Sequence, residues 1–384
     1  MRRVFQAVRS FVEKADMMLL LLCTAASVFG IVMISSATAY MGSRRYVLMQ
    51  SAALVIGLIG YVFVSLIDID IIAERRDMLF IFNVLFISTL FFWGVDDGTG
   101  NKSWLAFKWL PFTIQPAEIC KITFVIIMAR MMQNAGDRLS SPLNVGKLTL
   151  HLLITAGLIV VASSDAGNAL VFVFLFIVLA FAGGVRLGWF ALGAAAVGVA
   201  APAIWTKFMR PDQKDRILML FNPDLDPTGI GVRYQTKRSL LYFQSSGLMG
   251  SGLYRGEHTQ VGYTPAQHTD FIFSVVGEEL GLIGCILVLL LLTAIVARII
   301  YVGVRSQNYM NRLICIGLAA ILLFQILIDV GMCIGVMPVV GLTLPFISYG
   351  ANSLVTLFAA MGIVSGIKMR PASGSGARYV YKLD

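Results

Sequence analysis

Apolar residues fall in long blocks along this chain, separated by short polar stretches. Blocks of roughly 17–25 apolar residues are long enough to cross a hydrocarbon core of about 30 Å as helices. They lie near 17–37, 46–67, 78–93, 115–132, 148–163, 168–184, 187–206, 271–297, 311–336 and 345–367. The third is short, and the sixth and seventh are parted only by 183-GGVRLG-188. One long interval, about 207–269, has room for structure outside the blocks. Its 222-NPDLDPTGIG-231 reads as turns. Its 235-QTKRSLLYFQSSGL-248 predicts an interfacial amphipathic helix, with Lys237 and Arg238 near headgroups and Leu240, Leu241 and Phe243 below. The pattern predicts an all-α integral membrane protein of about ten transmembrane helices. Residues 1–370 form one membrane domain with a large extracytoplasmic loop, and 371–384 a short cytoplasmic tail.

Composition agrees. Charged residues make up 13% of the chain and hydrophobic ones 58%, whereas soluble domains carry roughly a quarter charged residues. The net charge of +9 reflects topology rather than nucleic-acid binding. With both termini cytoplasmic, the inside segments hold Arg2, Arg3, Arg75, Arg76, Arg138, Lys147, Arg186, Arg298, Arg305, Arg312 and Lys368. The short outside loops hold Arg44, Arg45, Lys102 and Lys108. The basic N-terminus runs into an apolar block that reads as the first span, not a cleaved signal. The five cysteines lie in or beside apolar blocks without close pairing and read as small buried hydrophobes. Three histidines without ligand spacing argue against an imidazole-held metal; a cation held by oxygens stays open.

Polar groups in the blocks need a reason, because charge inside a bilayer is expensive. Asp270 stands where loop meets the eighth block. It reads as a helix cap, or as a membrane-face carboxylate suited to taking a proton from a sugar hydroxyl. Glu278 and Glu279 follow two turns later and point about 100° apart, so at least one faces the bundle. They read as a buried pair with a basic partner, or as a cation-holding or site-orienting pair. Glu118 and Lys121 share one helix face, as a packing ion pair or with Lys121 toward a lipid phosphate. Trp104 reads as interfacial belt or as packing on a sugar or acyl chain. Asp165, Asp329 and 343-TLPFISYGANSL-354 add polar groups along the same protein. These residues suit an enzyme on a lipid-linked substrate or a transporter equally.

Three motifs break that tie. The stretch 265-PAQHTDFIFSVVGEELGLIG-284 is similar to the P-E-x-H-T-D-F-I-F-A-x-x-G-E-E-x-G of the SEDS family, which includes RodA, FtsW and SpoVE. The stretches 343-TLPFISYGANSL-354 and 112-FTIQPAEICKI-122 resemble its P-L-P-F-I-S-Y-G-G-S-S-L and F-Q-P-S-E-x-x-K. The resemblance runs from the first block to about Lys368. It implies a peptidoglycan glycosyltransferase that polymerises lipid II on the outer face of a bacterial cytoplasmic membrane, with a class B penicillin-binding protein as transpeptidase partner.

By the same resemblance Asp270 is the general base for the acceptor's 4-hydroxyl. Trp104, Glu118, Lys121, Ser348 and His268 belong to the substrate cavity. Lys121, Arg210 or Arg216 and a Mg2+ or Mn2+ ion are expected to share the charge of the departing pyrophosphate, with Glu278 and Glu279 near such a cation. Several positions depart from the family pattern: Lys102 and Ser103 before Trp104, Asn168 after Asp165, Asp329 where Asn is usual, and Asn352. These leave a role in elongation, division or sporulation unassigned. A flippase for lipid-linked precursors and a non-catalytic scaffold are the competing readings. A flippase needs polar groups through the full membrane depth, and a scaffold has no need of Asp270.

Overall fold

The computed structural model describes residues 9–96, 101–107, 113–222 and 234–370. The loop stretch 223–231 and the tail 371–384 therefore lie outside the described residues. The helices are α1 (Met17–Ala37), α2 (Arg45–Leu66), the short α3 (Ile69–Glu74), α4 (Arg76–Trp93), α5 (Pro116–Ala135), α6 (Pro142–Ser163), α7 (Ala166–Ala182), α8 (Leu187–Lys207), α9 (Pro211–Phe221), α10 (Tyr234–Ser246), α11 (Ile272–Arg305), α12 (Tyr309–Cys333) and α13 (Ala351–Met369). Eight of them are long and apolar enough to cross a membrane: α1, α2, α4, α6, α8, α11, α12 and α13. Helix α7 is apolar but has 17 residues. Helix α5, at 20 residues, carries Glu118, Lys121 and Arg130. Together these ten match the ten apolar blocks. The five cysteines are free and buried.

The helix starts follow local chemistry. Pro116 and Pro142 occupy first turns, where a missing N–H costs nothing. Asp16 caps α1 by accepting from Leu19 N at 3.1 Å. The same carboxylate takes both Arg298 Nε contacts, at 2.9 and 3.1 Å, with Lys368 Nζ 3.8 Å away. Tyr61 Oη donates to Asp16 O, and Asp16 N donates to Ser365 Oγ. One acidic residue, through its carboxylate and its backbone, thus ties α1, α2, α11 and α13 at one end of the bundle.

The other end is held differently. Helix α11 breaks at Gly281, where φ is 67° and ψ −163°. A break inside an apolar helix frees backbone groups, which is tolerated only where protein satisfies them. Here the segment 247–252 does so. Ser251 N and Gly252 N donate to the carbonyls of Glu278 and Glu279, each at 2.9 Å. Leu282 N and Ile283 N donate to Gly247 O and Leu248 O, each at 3.2 Å. The two backbones touch: a Cβ at Gly281 would lie 2.4 Å from Gly250 N, and one at Gly250 would lie 2.4 Å from Glu279 C. Both glycines have positive φ, so space and conformation each exclude a side chain.

Several sequence expectations change. The eighth span starts at Ile272 and runs to Arg305, beyond the expected 297. Its N-cap is Phe271, which makes no side-chain cap bond. The last span starts at Ala351, not 345. Pro345, the left-handed Phe346 (φ 65°) and Gly350 keep the helix from extending backwards. Residues 334–350 instead form a non-helical loop. Helix α10 packs on protein rather than lying free at an interface: Ser239 and Tyr242 are fully buried. Ser239 Oγ bonds to Ser274 Oγ and Cys333 O, and Arg238 stacks over Tyr234 and Tyr263 at 3.9 and 4.0 Å. Lys237 remains exposed.

Candidate active site

Asp270 sits in a tight turn between loop and membrane helix. Ala266 takes a left-handed conformation, φ 56°. This lets its carbonyl receive the N–H groups of Thr269, Asp270 and Phe271 at 3.0, 3.1 and 3.4 Å. Such a conformation costs a non-glycine residue about 1–3 kcal/mol and clusters at functional sites. The turn leaves Asp270 half-buried.

The loop 334–350 closes over this turn. Ser348 Oγ donates to Thr269 O at 2.7 Å and accepts from Leu344 N at 2.9 Å. Tyr349 N donates to His268 O at 2.9 Å. Gln50 of α2 completes the tie, donating to Ser348 O and accepting from Gly350 N, each at 3.1 Å. Ser348 is thus a brace beside Asp270, with its hydroxyl already engaged. Further along, a Cβ on Gly341 would lie 3.7 Å from Asp270 Oδ2. Val340 packs on Gly167 at the start of α7, and Arg216 of α9 donates to Val339 O at 2.8 Å.

Trp104 is set near the start of α7, the end on which Val340 packs. It lies half-buried in β2 (Trp104–Leu105), which pairs antiparallel with β1 (Gly94–Val95), Trp104 opposite Val95. Its neighbour Ser103 donates to Asp165 Oδ2 at 3.0 Å. Asp165 caps α7 and also accepts from Asn168 N and Nδ2, at 2.9 and 2.8 Å. Ser103 and Asn168, two departures from the family pattern, thus meet on one carboxylate.

His268 packs between Tyr46 and Tyr349, with ring centroids 4.7 and 5.6 Å away. Burial pushes its imidazole below the ordinary value of 6.5, so at neutral pH it is an uncharged aromatic wall. The unfolded chain takes up this proton first as pH falls below 6.5. Stability from the neutral ring is therefore present above that pH and declines below it.

Glu278 is fully used by the preceding loop. Its Oε1 accepts from His258 N (2.9 Å) and pairs with His258 Nδ1 (2.7 Å). Its Oε2 accepts from Thr259 N (2.8 Å) and Thr259 Oγ1 (2.6 Å). Glu279 Oε1 accepts from Ser36 Oγ of α1 and from Gln260 Nε2, while its buried Oε2 has no partner among the described residues. This donor set does not fit a Mg2+ or Mn2+ ion, because Glu278 has no oxygen free of an N–H or O–H. Its geometry favours the site-orienting role. No group of three or more His, Cys, Asp and Glu that could hold a metal is found among the described residues.

Other expected residues lie apart. Lys121 Nζ and Glu118 Oε1 are 2.6 Å apart, with side chains 1% and 7% exposed. They are buried and line a narrow cavity with Leu318, Leu322 and Thr356 of α12 and α13, and Lys121 faces its own carboxylate partner. Arg210 is exposed at the start of α9. Asp329, one of the polar groups within the blocks and a departure from the family pattern, is fully buried in α12. Neither of its oxygens has a hydrogen-bond partner in the described residues, and it lies within electrostatic range of Asp270.

Residues 16–372 match the FtsW/RodA/SpoVE family, described as cell cycle proteins. The chain is 36% identical over 276 residues to the peptidoglycan glycosyltransferase MrdB of Escherichia coli K12, covering 71% of this chain and 73% of that one. It is 32% identical over 381 residues to a probable peptidoglycan glycosyltransferase FtsW of Trichlorobacter lovleyi, covering 94% and 96%. Among solved structures, a chain from a peptidoglycan synthase complex that coordinates polymerization and crosslinking superposes with a TM-score of 0.77. It is 27% identical, with 92% of this chain and 97% of that one covered. The rod shape determining protein RodA of Thermus thermophilus shares the fold, with a TM-score of 0.69 at 24% identity over 94% of this chain and 98% of that one. This chain belongs to the FtsW/RodA/SpoVE family.

Proposed function

We propose that this member of the family is a peptidoglycan glycosyltransferase that polymerises lipid II at the outer face of the cytoplasmic membrane, with Asp270 as general base. The observation that carries the reading is the placement of Asp270. A strained turn fixes it, Ser348 and Gly341 flank it, and the loop that carries them also accepts from Arg216 of α9 and packs on the start of α7, where Asp165 holds Ser103 next to Trp104. The names of the relatives support the activity.

The acceptor's 4-hydroxyl oxygen attacks the anomeric carbon of the donor lipid II. The bond from that carbon to the pyrophosphate oxygen breaks, undecaprenyl pyrophosphate leaves, and Asp270 takes the hydroxyl proton. Negative charge develops on the leaving pyrophosphate, so a cation aimed there lowers the barrier. Of the expected cations, Arg216 is held against the loop beside Asp270, whereas Lys121 is buried and paired with Glu118. Arg216 is assigned the pyrophosphate, with Arg210 outside it. Trp104 and the His268–Tyr349 wall bound the sugar end. Ser348 acts through Thr269 and not on substrate. Both termini are placed in the cytoplasm, which puts Asp270 outside. A class B penicillin-binding protein is the proposed crosslinking partner.

Detergent solution tests this reading, because it removes the two sides a transporter needs. Purified protein with its partner is expected to convert lipid II into glycan strands, releasing one undecaprenyl pyrophosphate per bond formed. Unchanged lipid II would contradict the reading. A finer check is Ser348→Ala, which leaves Leu344 N–H and Thr269 C=O without partners. It is expected to cost about 2 kcal/mol of stability and to lower turnover more than lipid II affinity. An unfolding midpoint and a rate equal to wild type would remove Ser348 as a brace.

A further inference from the structure

A second cavity, of about 480 Å3, lies between α4, the end of α5 and the first half of α6. It is at the end of the bundle opposite Asp270: Gln133, near the end of α5, bonds to Asn308 in the connection from α11 to α12. Arg76, Arg138 and Lys147 line its mouth, against one carboxylate, Asp77. Asp77 contacts Arg76 at 3.4 Å and is itself solvent-exposed. Among the described residues, the side chains of Arg138 and Lys147 make no hydrogen bond or ion pair. The mouth therefore carries uncompensated positive charge.

The floor adds an independent observation. His151 lines the cavity and is 5% exposed, yet its Nε2 has no hydrogen-bond partner among the described residues. Its ring is clamped, stacked on Phe124 at 4.8 Å and edge-on to Phe80 at 5.1 Å. A buried nitrogen without a partner costs free energy unless something binds it. Lys147 and His151 are four residues apart, so they share a face of α6, the imidazole about 6 Å deeper. Leu150 and Ile154 continue this wall and are 56% and 37% exposed, which opens the cavity sideways. This face of α6 thus offers a cation, an unpartnered imidazole nitrogen and exposed apolar side chains within about three turns. Those groups suit an amphiphile with an anionic head.

We infer that this cavity binds the phosphate headgroup of an anionic phospholipid from the leaflet on its side of the membrane. The phosphate lies between Arg138, Lys147 and the Nε2–H of His151, and the start of an acyl chain lies along Leu150 and Ile154. Basic pockets between membrane helices recognise such headgroups, and the apolar exit distinguishes a lipid from a free phosphate.

The test uses the purified full chain in neutral detergent. Phosphatidylglycerol, phosphatidylcholine with the same chains, and inorganic phosphate are titrated separately, with bound lipid read by native mass spectrometry. Saturable phosphatidylglycerol binding, weak phosphatidylcholine binding and no competition by inorganic phosphate are expected. Removing both cations (Arg138→Gln with Lys147→Gln) is expected to weaken phosphatidylglycerol binding on the order of twentyfold, about fivefold per cation. His151→Phe keeps the ring packing and should weaken binding several-fold. If the double variant does not fold, Lys147→Gln alone decides, with its fivefold loss. Equal binding of the two lipids, full competition by inorganic phosphate, or unchanged affinity in the variants would overturn the inference.

Discussion

Asp270→Asn leaves the protein folded and able to bind lipid II, while polymerisation falls by roughly 10²–10⁴-fold, the range that general base catalysis contributes. The substitution keeps the shape of the side chain and removes its ability to accept a proton. It spares the turn, because that turn is built from backbone bonds to Ala266 O and from the Ser348 bond to Thr269 O. Stability and lipid II affinity therefore stay near wild type while turnover drops. Initial rates at saturating lipid II, with a binding titration on the same preparation, check this. A comparable loss of binding would turn Asp270 into a substrate anchor instead of a base.

Glu278→Gln is expected to damage the protein through the loop and not through the chemistry. The carboxylate is 1% exposed and accepts from three donors in addition to pairing with the His258 ring. An amide presents one oxygen and an NH2 group, so one pair of donors is left facing N–H groups in a buried site. Breaking a buried charge-assisted network of this kind costs about 3–5 kcal/mol. The segment 247–262 also supplies the partners for the break at Gly281, so its release uncovers the broken helix. Faster proteolysis within 247–262, a lower unfolding midpoint and at least tenfold less polymerisation are expected. A variant that matches wild type in proteolysis while losing activity would assign Glu278 a direct role, such as holding a cation.

Much of the fold is legible in the apolar blocks, because a bilayer demands long runs of apolar side chains and tolerates few exceptions. What the blocks hide is where a helix breaks while its side chains stay apolar. Gly281 sits inside 278-EELGLIG-284 like any membrane glycine; its positive φ comes from Gly250, 31 positions earlier in the chain. The start of the last helix was misplaced for a similar reason, since 343-TLPFI-347 is apolar enough to span but carries Pro345 and a left-handed Phe346.

At the site, the motif around 268–270 marks Asp270 and its neighbours in the chain. Their roles depended on partners that no local spacing reveals. Ser348 reaches Thr269 across 79 residues, and Glu278 reaches back to His258 and Thr259. Lys121 and Glu118 were readable as neighbours on a helix face, but the closure of α12 and α13 over them was not. Asp329 is legible as a polar group in a span and as a departure from the family pattern, but not as a neighbour of the site. That it lies within electrostatic range of Asp270 depends on how α12 packs.

The most direct test of the central claim compares wild type and Asp270→Asn in one lipid II polymerisation assay, each purified with its partner and matched for unfolding midpoint. Glycan strands and released undecaprenyl pyrophosphate are measured together. The account predicts both products from wild type, and neither above about one hundredth of that level from the variant. Equal yields from the two proteins would contradict it, because the hydroxyl proton would then have another acceptor.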